Sequence, residues 1–183
     1  MESERANFYR KIDEEIENTI RGISATTLLR EVRFDGASSK WRLDRVLAAR
    51  HLLSDEDDYS MDLAIIEIKH IEPTSGKGRY HQHMSYAYVE LNDLRLGYKS
   101  EAEAGSDVPR FCLIVNRYPV TGESKRDYGR IFQTIGVKMI NFNDDAEKAS
   151  FLEEIRRLCQ QWGFDEQSRR LEEALKTLDK TAK

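Results

Sequence analysis

Long apolar runs and cysteine-rich motifs are missing from this sequence, and each absence excludes a class of protein. No stretch approaches the roughly 18 consecutive apolar residues that a transmembrane helix needs, so we expect no membrane association. The charged N-terminal segment MESERANFYR lacks the apolar centre of a secretory signal. Cys112 and Cys159 are the only cysteines, and their spacing matches neither a metal site nor a disulfide framework. We therefore expect a protein of the reducing cytoplasm.

Motifs typical of small-molecule enzymes are absent as well. The chain has no glycine-rich phosphate loop and no pattern that pairs a serine or cysteine nucleophile with histidine. Its 183 residues suffice for one domain with a buried core. Seven Phe, eight Tyr and two Trp residues argue against disorder. We expect an ordered domain with another kind of site.

Charge is distributed unevenly along the chain. The sequence has 33 acids and 29 bases, and its net charge of −4 does not indicate a polyanion-binding protein. Residues 28–50 nevertheless hold six bases against three acids, and the local field matters more for binding than the total. This basic stripe contains Arg42 and Arg45, and Lys77 and Arg79 follow in a later loop. We interpret these four as contacts to a nucleic-acid backbone, with a solvated loop as the alternative for Lys77 and Arg79.

Hydrophobic periodicity predicts an α/β fold. We expect a central mixed sheet of about five strands flanked by helices, with a core in residues 1–143 and a C-terminal helical extension, 144–183, packed on it. The predicted order is helix 7–23, strands 27–34, 41–49 and 59–71, helix 81–98, strand 110–118, short helix 125–135, strand 137–142, and helices 146–162 and 165–180 separated at Gly163.

The most informative segment is LAIIEIKH, residues 63–70. Alternation along a strand places Glu67 and Lys69 on one face, inside an otherwise apolar run that is typical of a central strand. An acid and a base buried there need compensation from each other, from a metal or from a ligand. A second Glu-x-Lys copy, residues 123–125, lies in a polar segment where nothing needs explaining.

Asp44 is the best candidate for a second carboxylate beside Glu67. It lies in the preceding predicted strand, and antiparallel pairing would bring the two side chains together. Asp62 shares a strand with Glu67 at an odd offset, so its side chain points to the opposite face. The alternative is purely structural: Glu67 and Lys69 pair with neighbours such as Arg42 or Arg45 and hold the sheet together.

These residues resemble the motif of the PD-(D/E)XK nuclease superfamily, the fold of many restriction enzymes and Holliday-junction resolvases. A strand carrying Asp44 precedes a strand that ends in Glu67-Ile68-Lys69, and the predicted elements follow the αβββαβ order of the restriction-endonuclease-like core. The resemblance covers residues 7–118. It departs from the motif at Leu43, where the family often has proline.

The resemblance implies a metal-dependent endonuclease that hydrolyses phosphodiester bonds, and we expect DNA rather than RNA as its nucleic-acid partner. Asp44, Glu67 and the carbonyl of Ile68 would coordinate Mg²⁺ or Mn²⁺, and the metal would activate a water and polarise the phosphate. Lys69 would hold or deprotonate that water and offset charge in the transition state. The rival hypothesis is a non-catalytic module that keeps the fold and binds nucleic acid or protein within a larger assembly.

Two further assignments follow from branches of the superfamily. Some members add a glutamate from the first helix, and Glu15 lies nearest the predicted apolar stripe, although a rim carboxylate facing water is equally consistent. RecB-like members carry a Gln-x-x-x-Tyr pair that supports the active site or the substrate. Gln82 and Tyr86 match it at i and i+4, with simple exposure as the alternative.

A third similarity is to defence nucleases of the Shedu type, which would imply a role in antiviral defence. Their late Arg-Asp-Tyr helix followed by a strand corresponds here to residues 125–128 and 137–142. We interpret His70, His81 and His83 as surface or phosphate-contacting residues, because no cysteine accompanies them as in a zinc site. We also expect a homodimer or higher homo-oligomer, with the last helix as a possible dimer arm.

Overall fold

The chain folds into one mixed sheet with helices on both faces. The computed structural model describes residues 3–23, 26–50, 59–72, 77–102, 109–118 and 122–181. The elements in these ranges are α1 (Glu4–Ile20), β1 (Thr26–Asp35), β2 (Lys40–Arg50), β3 (Tyr59–Lys69), α2 (Lys77–Ala102), β4 (Arg110–Val115), α3 (Gly122–Thr134), β5 (Val137–Asn141) and α4 (Asp145–Thr181).

The sheet has the strand order β1-β2-β3-β4-β5. The first three strands form an antiparallel meander, and β4 and β5 add to β3 in parallel orientation after helical crossovers. This arrangement confirms the predicted α/β fold with a five-strand mixed sheet. Its central strand is β3, where residues 63–68 are all buried, as a strand covered on both faces requires.

Two hydrophobic clusters cover the two faces of the sheet. On one face, α1 and α4 supply Ile12, Ile16, Phe151 and Ile155 and pack on strand residues such as Ile66. On the other face, α2 and α3 supply the apolar side chains, among them Met84, Leu91, Leu94 and Phe132, against strand residues that include Ile65 and Leu113. The C-terminal helix thus contributes directly to the core that α1 closes.

Several predicted helix boundaries were wrong. Residues 145–181 form one helix rather than two, because Gly163 keeps helical geometry; a glycine inside a helix costs about 1 kcal/mol relative to alanine but does not by itself end it. Helix α2 begins at Lys77, inside a segment predicted to be a loop. Helix α1 starts earlier than predicted, since the Ser3 hydroxyl accepts a hydrogen bond from the Ala6 amide. None of the described helices is long and apolar enough to cross a membrane.

Asp93 on α2 holds the turn of the β1–β2 hairpin. Its carboxylate accepts hydrogen bonds from the Ser38 and Ser39 amides, the Ser38 hydroxyl and the Trp41 indole. These bonds lower the pKa of Asp93, the Trp41 bond most of all. Gly36 faces the same carboxylate so closely that a Cβ there would lie 2.3 Å from Asp93 Oδ2. The hairpin is therefore docked on α2 by a specific polar contact.

Candidate active site

Strands β2 and β3 separate at the end of β3, and this gap creates the site. Their antiparallel pairing runs from Arg50↔Tyr59 to Arg45↔Ile66 and goes no further among the described residues. Beyond that point β3 is paired only with β4. The Ile68 amide therefore faces the gap, where it donates a hydrogen bond of 2.8 Å to Asp44 Oδ2. A side-chain carboxylate replaces the missing ladder bond.

Glu67 and Lys69 form a mostly buried ion pair beside Asp44. The side chain of Glu67 is 3% exposed and that of Lys69 is 20% exposed, and Lys69 Nζ contacts Glu67 Oε1. Glu67 Oε2 is buried and has no hydrogen-bond partner among the described residues. Burial raises the pKa of Glu67 to about 8; the Lys69 charge opposes this shift, while the Asp44 and Glu90 charges add to it. Burial also opposes ionisation of Lys69, yet the Glu67 charge and hydrogen bond raise its pKa.

Glu90 on α2 is a further acid of the site that sequence reasoning missed. It is buried, and its Oε2 lies 4.0 Å from Lys69 Nζ. Burial raises the pKa of Glu90, the Lys69 charge lowers it, and the Asp44 charge raises it; a side-chain hydrogen bond with Glu67 lowers it as well. The sequence did contain one sign that Glu90 is buried: it lies next to the apolar stripe of α2, directly before Leu91 and three residues after Ala87.

Tyr9 on α1 approaches the same strand end from the other face of the sheet. Its hydroxyl donates a hydrogen bond of 2.8 Å to the Ile68 carbonyl. The guanidinium carbons of Arg5 and Arg45 lie 5.4 and 5.6 Å from the centroid of its ring. Burial raises the pKa of Tyr9, and the Asp44 charge adds to the shift. The role of Tyr9 could not be predicted from the sequence, because no local pattern reports which strand a helix contacts.

The structure does not place Glu15 at the site. Glu15 Oε1 lies 3.7 Å from Lys148 Nζ on α4. The buried acid of α1 is instead Asp13, which accepts hydrogen bonds from Arg30 and Arg45. The predicted role of Glu15 as a metal ligand is therefore corrected, because the flank of α1 that carries it faces α4.

The predicted nucleic-acid contacts divide into three groups. Arg45 is buried and bound to Asp13, so the prediction that it contacts phosphate is wrong. Arg42 and Arg79 are exposed; Arg42 pairs with Glu31, and Arg79 Nη1 lies 4.0 Å from Glu72 Oε2. The side chain of Lys77 lies outside the described residues. Exposed arginines with a single surface partner remain able to meet a phosphate.

Helix α2 carries both members of the predicted Gln-x-x-x-Tyr pair on its surface. Gln82 is exposed, Tyr86 is 64% exposed, and neither side chain bonds to a described residue. His83, one residue along, faces the positive side of the site: burial lowers its pKa, and the charges of Lys69, Arg79 and Arg5 lower it further. The structure thus brings Asp44, Glu67 and Lys69 together without Gln82 or Tyr86.

Two other predicted features take part in packing contacts. Tyr128 of the late helix contacts His81 and packs against Tyr80. The side chains of residues 125–127 lie outside the described residues. The ring of His70 packs on Phe8 at 5.5 Å. These contacts hold α3 on α2 and the end of β3 on α1.

The oxygen atoms at the gap fit a hard divalent cation. Asp44 Oδ1 and Glu67 Oε2 each make no hydrogen bond to a described residue, and the Ile68 carbonyl, which accepts one bond from Tyr9, has a second lone pair. No three His, Cys, Asp or Glu side chains in the described part of the chain form a ready-made metal cluster. Mg²⁺ commonly binds to one or two carboxylates and completes its shell with waters and substrate phosphate. The donor set therefore suits Mg²⁺ or Mn²⁺ more than zinc.

Comparison with known proteins identifies two similar structures. No protein-family model and no curated protein matches the sequence. A crystal structure of AF1548, a protein of unknown function, is similar over 75% of this chain and 58% of that chain, with 14% identity and a TM-score of 0.40. Can2 from Sulfobacillus thermosulfidooxidans in complex with cyclic tetra-adenylate is similar over 86% of this chain and 38% of that chain, with 11% identity and a TM-score of 0.45. The chain spans less than two thirds of either protein.

Proposed function

We propose that this protein is a metal-dependent nuclease of the PD-(D/E)XK type that hydrolyses phosphodiester bonds of DNA. The observation that carries this proposal is Glu67 Oε2, a buried carboxylate oxygen with no partner among the described residues. Burial is the main cause of the raised pKa of Glu67, and the charges of Asp44 and Glu90 add to the shift against the opposing charge of Lys69. A buried oxygen of this kind costs free energy unless a proton, a cation or a ligand satisfies it.

The balance of charge at the gap favours a bound cation. Three carboxylates, those of Asp44, Glu67 and Glu90, act on one another, and Lys69 is the cation that contacts Glu67 and approaches Glu90. Burial is the main cause of the raised pKa values of Glu67 and Glu90, and the negative charge of Asp44 adds to both shifts. A divalent cation would relieve the repulsion, and the open end of the gap would leave room for phosphate.

The residues divide the chemistry of hydrolysis among them. Asp44, Glu67 and the Ile68 carbonyl would hold the metal. When bound, Mg²⁺ or Mn²⁺ supplies a water of lowered pKa and polarises the scissile phosphate. Lys69, anchored by Glu67 and reaching solvent, can hydrogen-bond the attacking water and offset the charge that develops on the phosphate oxygens. Tyr9 and the Asp44–Ile68 bond orient the end of β3 from two sides.

Nuclease assays of matched variants test the proposal. Purified wild-type protein is incubated with duplex DNA, single-stranded DNA and RNA, each with Mg²⁺, Mn²⁺ or chelator. We expect DNA cleavage that needs the metal, its loss in Glu67→Gln and Lys69→Ala, and unchanged cleavage in the control Glu15→Gln. Circular dichroism checks that the variants are folded.

Two results would contradict the proposal. A folded wild-type protein that binds nucleic acid but cleaves no form of it with either metal would favour the non-catalytic binding module. Cleavage that persists unchanged in Lys69→Ala would place the chemistry on other residues.

A further inference from the structure

A cleft of about 660 Å³ lies beside Asp44, between α1 and the β1–β2 strands. Arg5 and Tyr9 of α1 line it together with Asp44. It therefore extends from the proposed metal-binding carboxylate along the side of α1 that faces β1 and β2. A strand of substrate held at the gap would have its neighbouring phosphates within reach of this cleft.

Four arginines and five acids line the cleft, and three of the arginines pair with one of these acids. Arg10 pairs with Glu14 at 2.7 Å. Arg30 and Arg45 both bind Asp13. Arg5 is the exception: it is exposed and forms no ion pair with any described residue. Its charge remains available to an anion.

Arg5 is held by an aromatic ring rather than by a carboxylate. Its guanidinium carbon lies 5.4 Å from the centroid of Tyr9, and the Tyr9 hydroxyl bonds to the Ile68 carbonyl. Arg5 also acts on the Tyr9 hydroxyl through a side-chain hydrogen bond and through its charge, both of which lower the pKa of Tyr9 against the effect of burial. A guanidinium has five N–H donors, so donors beyond the one at Tyr9 remain for a phosphate. Tyr9 therefore orients a cation that has no acidic partner among the described residues beside a proposed metal ligand.

We propose that Arg5, oriented on Tyr9, binds a phosphate of the nucleic-acid substrate adjacent to the scissile one. This inference rests on the proposed function and adds the residue that draws the polyanion to a site crowded with carboxylates. Burial lowers the pKa of His83 on α2, and the charges of Lys69, Arg79 and Arg5 lower it further.

The test measures binding of fluorescein-labelled DNA oligonucleotides, single-stranded and duplex, as a function of salt, with Ca²⁺ in place of Mg²⁺ to suppress cleavage. Arg5→Ala is expected to weaken binding roughly tenfold, because it removes one charge-assisted contact. The slope of log K against log salt is expected to fall by about 0.9 for duplex or 0.7 for single strands, the value of one phosphate contact. Arg5→Lys is expected to keep most of the salt slope, because it keeps the charge. It loses the orientation that Tyr9 gives the guanidinium, so its affinity should lie between those of the wild type and Arg5→Ala. Arg10→Ala, which removes an arginine already paired to an acid on the same helix, leaves both values unchanged.

The outcomes separate this inference from the proposed function. An Arg5→Ala protein with wild-type affinity and salt slope overturns the role of Arg5, and metal-dependent cleavage lost in Glu67→Gln would then leave the nuclease proposal intact. A wild-type protein that binds neither form of DNA contradicts both. Thermal unfolding of each variant shows that α1 remains docked.

Discussion

Asp44 Oδ2 accepts a hydrogen bond of 2.8 Å from the Ile68 amide across the gap between β2 and β3. The carboxylate therefore has two tasks that can be separated. One oxygen satisfies a main-chain donor that the sheet leaves unpaired, and the other is free for a ligand. Substitutions that keep the hydrogen bond to the Ile68 amide but remove the charge of Asp44 therefore separate its structural role from its proposed role as a metal ligand.

Asp44→Asn and Asp44→Ala are expected to differ in stability but not in activity. The asparagine retains an acceptor for the Ile68 amide, whereas alanine leaves that donor without one and should cost about 1–3 kcal/mol. Both remove the negative charge, so both should abolish metal-dependent cleavage. Urea unfolding and the nuclease assay measure the two effects, and equal unfolding midpoints for the two variants would contradict the structural role.

Divalent metal is expected to raise the melting temperature of the wild-type protein. A ligand that binds only the folded state stabilises it by about 2.7 kcal/mol at a hundred times its dissociation constant. Glu67→Gln should lose this response, because it removes the charge of the buried oxygen. Glu15→Gln should keep it, since Glu15 faces Lys148. Melting temperatures measured with Mn²⁺ and with chelator test this prediction. Equal responses of Glu67→Gln and Glu15→Gln would refute the assignment of Glu67 as a metal ligand.

Glu90→Gln is expected to slow cleavage while metal binding persists. Glu90 lies 4.0 Å from Lys69 and balances the pull of Glu67 on that ammonium group. Without its charge, Lys69 shifts toward Glu67, and a displaced catalytic group can cost up to roughly 100-fold in rate. Single-turnover kinetics measure the rate of cleavage, and titration with Mn²⁺ measures metal binding. The exposed Glu153, replaced by glutamine, serves as the control.

The contact between Asp93 and the hairpin predicts a specific dependence of stability on pH. Its hydrogen bonds lower the pKa of Asp93 in the folded state. The stability that they contribute is present above the unfolded value of about 3.9 and is lost as the pH falls through the lower folded value. Asp93→Asn should therefore be less stable than wild type at pH 7, and the difference should shrink toward pH 3. Urea midpoints at several pH values check this.

Asp35→Asn is the matched control for that measurement. Asp35 lies in the same hairpin, and its exposed side chain is 3.5 Å from Lys40. An exposed pair of this kind contributes little, so its effect should be small at every pH. If the difference in stability between the wild type and Asp93→Asn stayed constant with pH, the charge of Asp93 would not be what stabilises the turn.

The sequence predicted the sheet because its strongest signals are local. The apolar run at 63–68 marks a strand covered on both faces, and the order of strands and helices limits the ways to pair them. Side-chain alternation also indicated which acids could share a face with Glu67. These inferences need only the periods of strand and helix.

The rest of the site depends on how the helices are rotated and where they dock. The apolar stripe of α1 is Phe8, Ile12, Ile16 and Ile20, and Asp13 and Glu15 flank its centre at about 80° on either side. Periodicity cannot tell which flank faces β2; the pairing of Asp13 with Arg30 and Arg45 decides it. Glu90 and Tyr9 were missed for the same reason, because long-range packing brings each to the end of β3.

The separation of β2 from β3 also has a mechanical consequence. Among the described residues no backbone ladder joins the two strands beyond Arg45 and Ile66, so one side-chain bond, from Asp44 to Ile68, spans that part of the gap. The width of the opening can change by breaking this single bond while the register of the remaining sheet is preserved. The sheet is therefore most easily deformed at the place where the proposed ligands meet. A wider substrate would break the hydrogen bond between Asp44 and the Ile68 amide before it disturbed the paired strands.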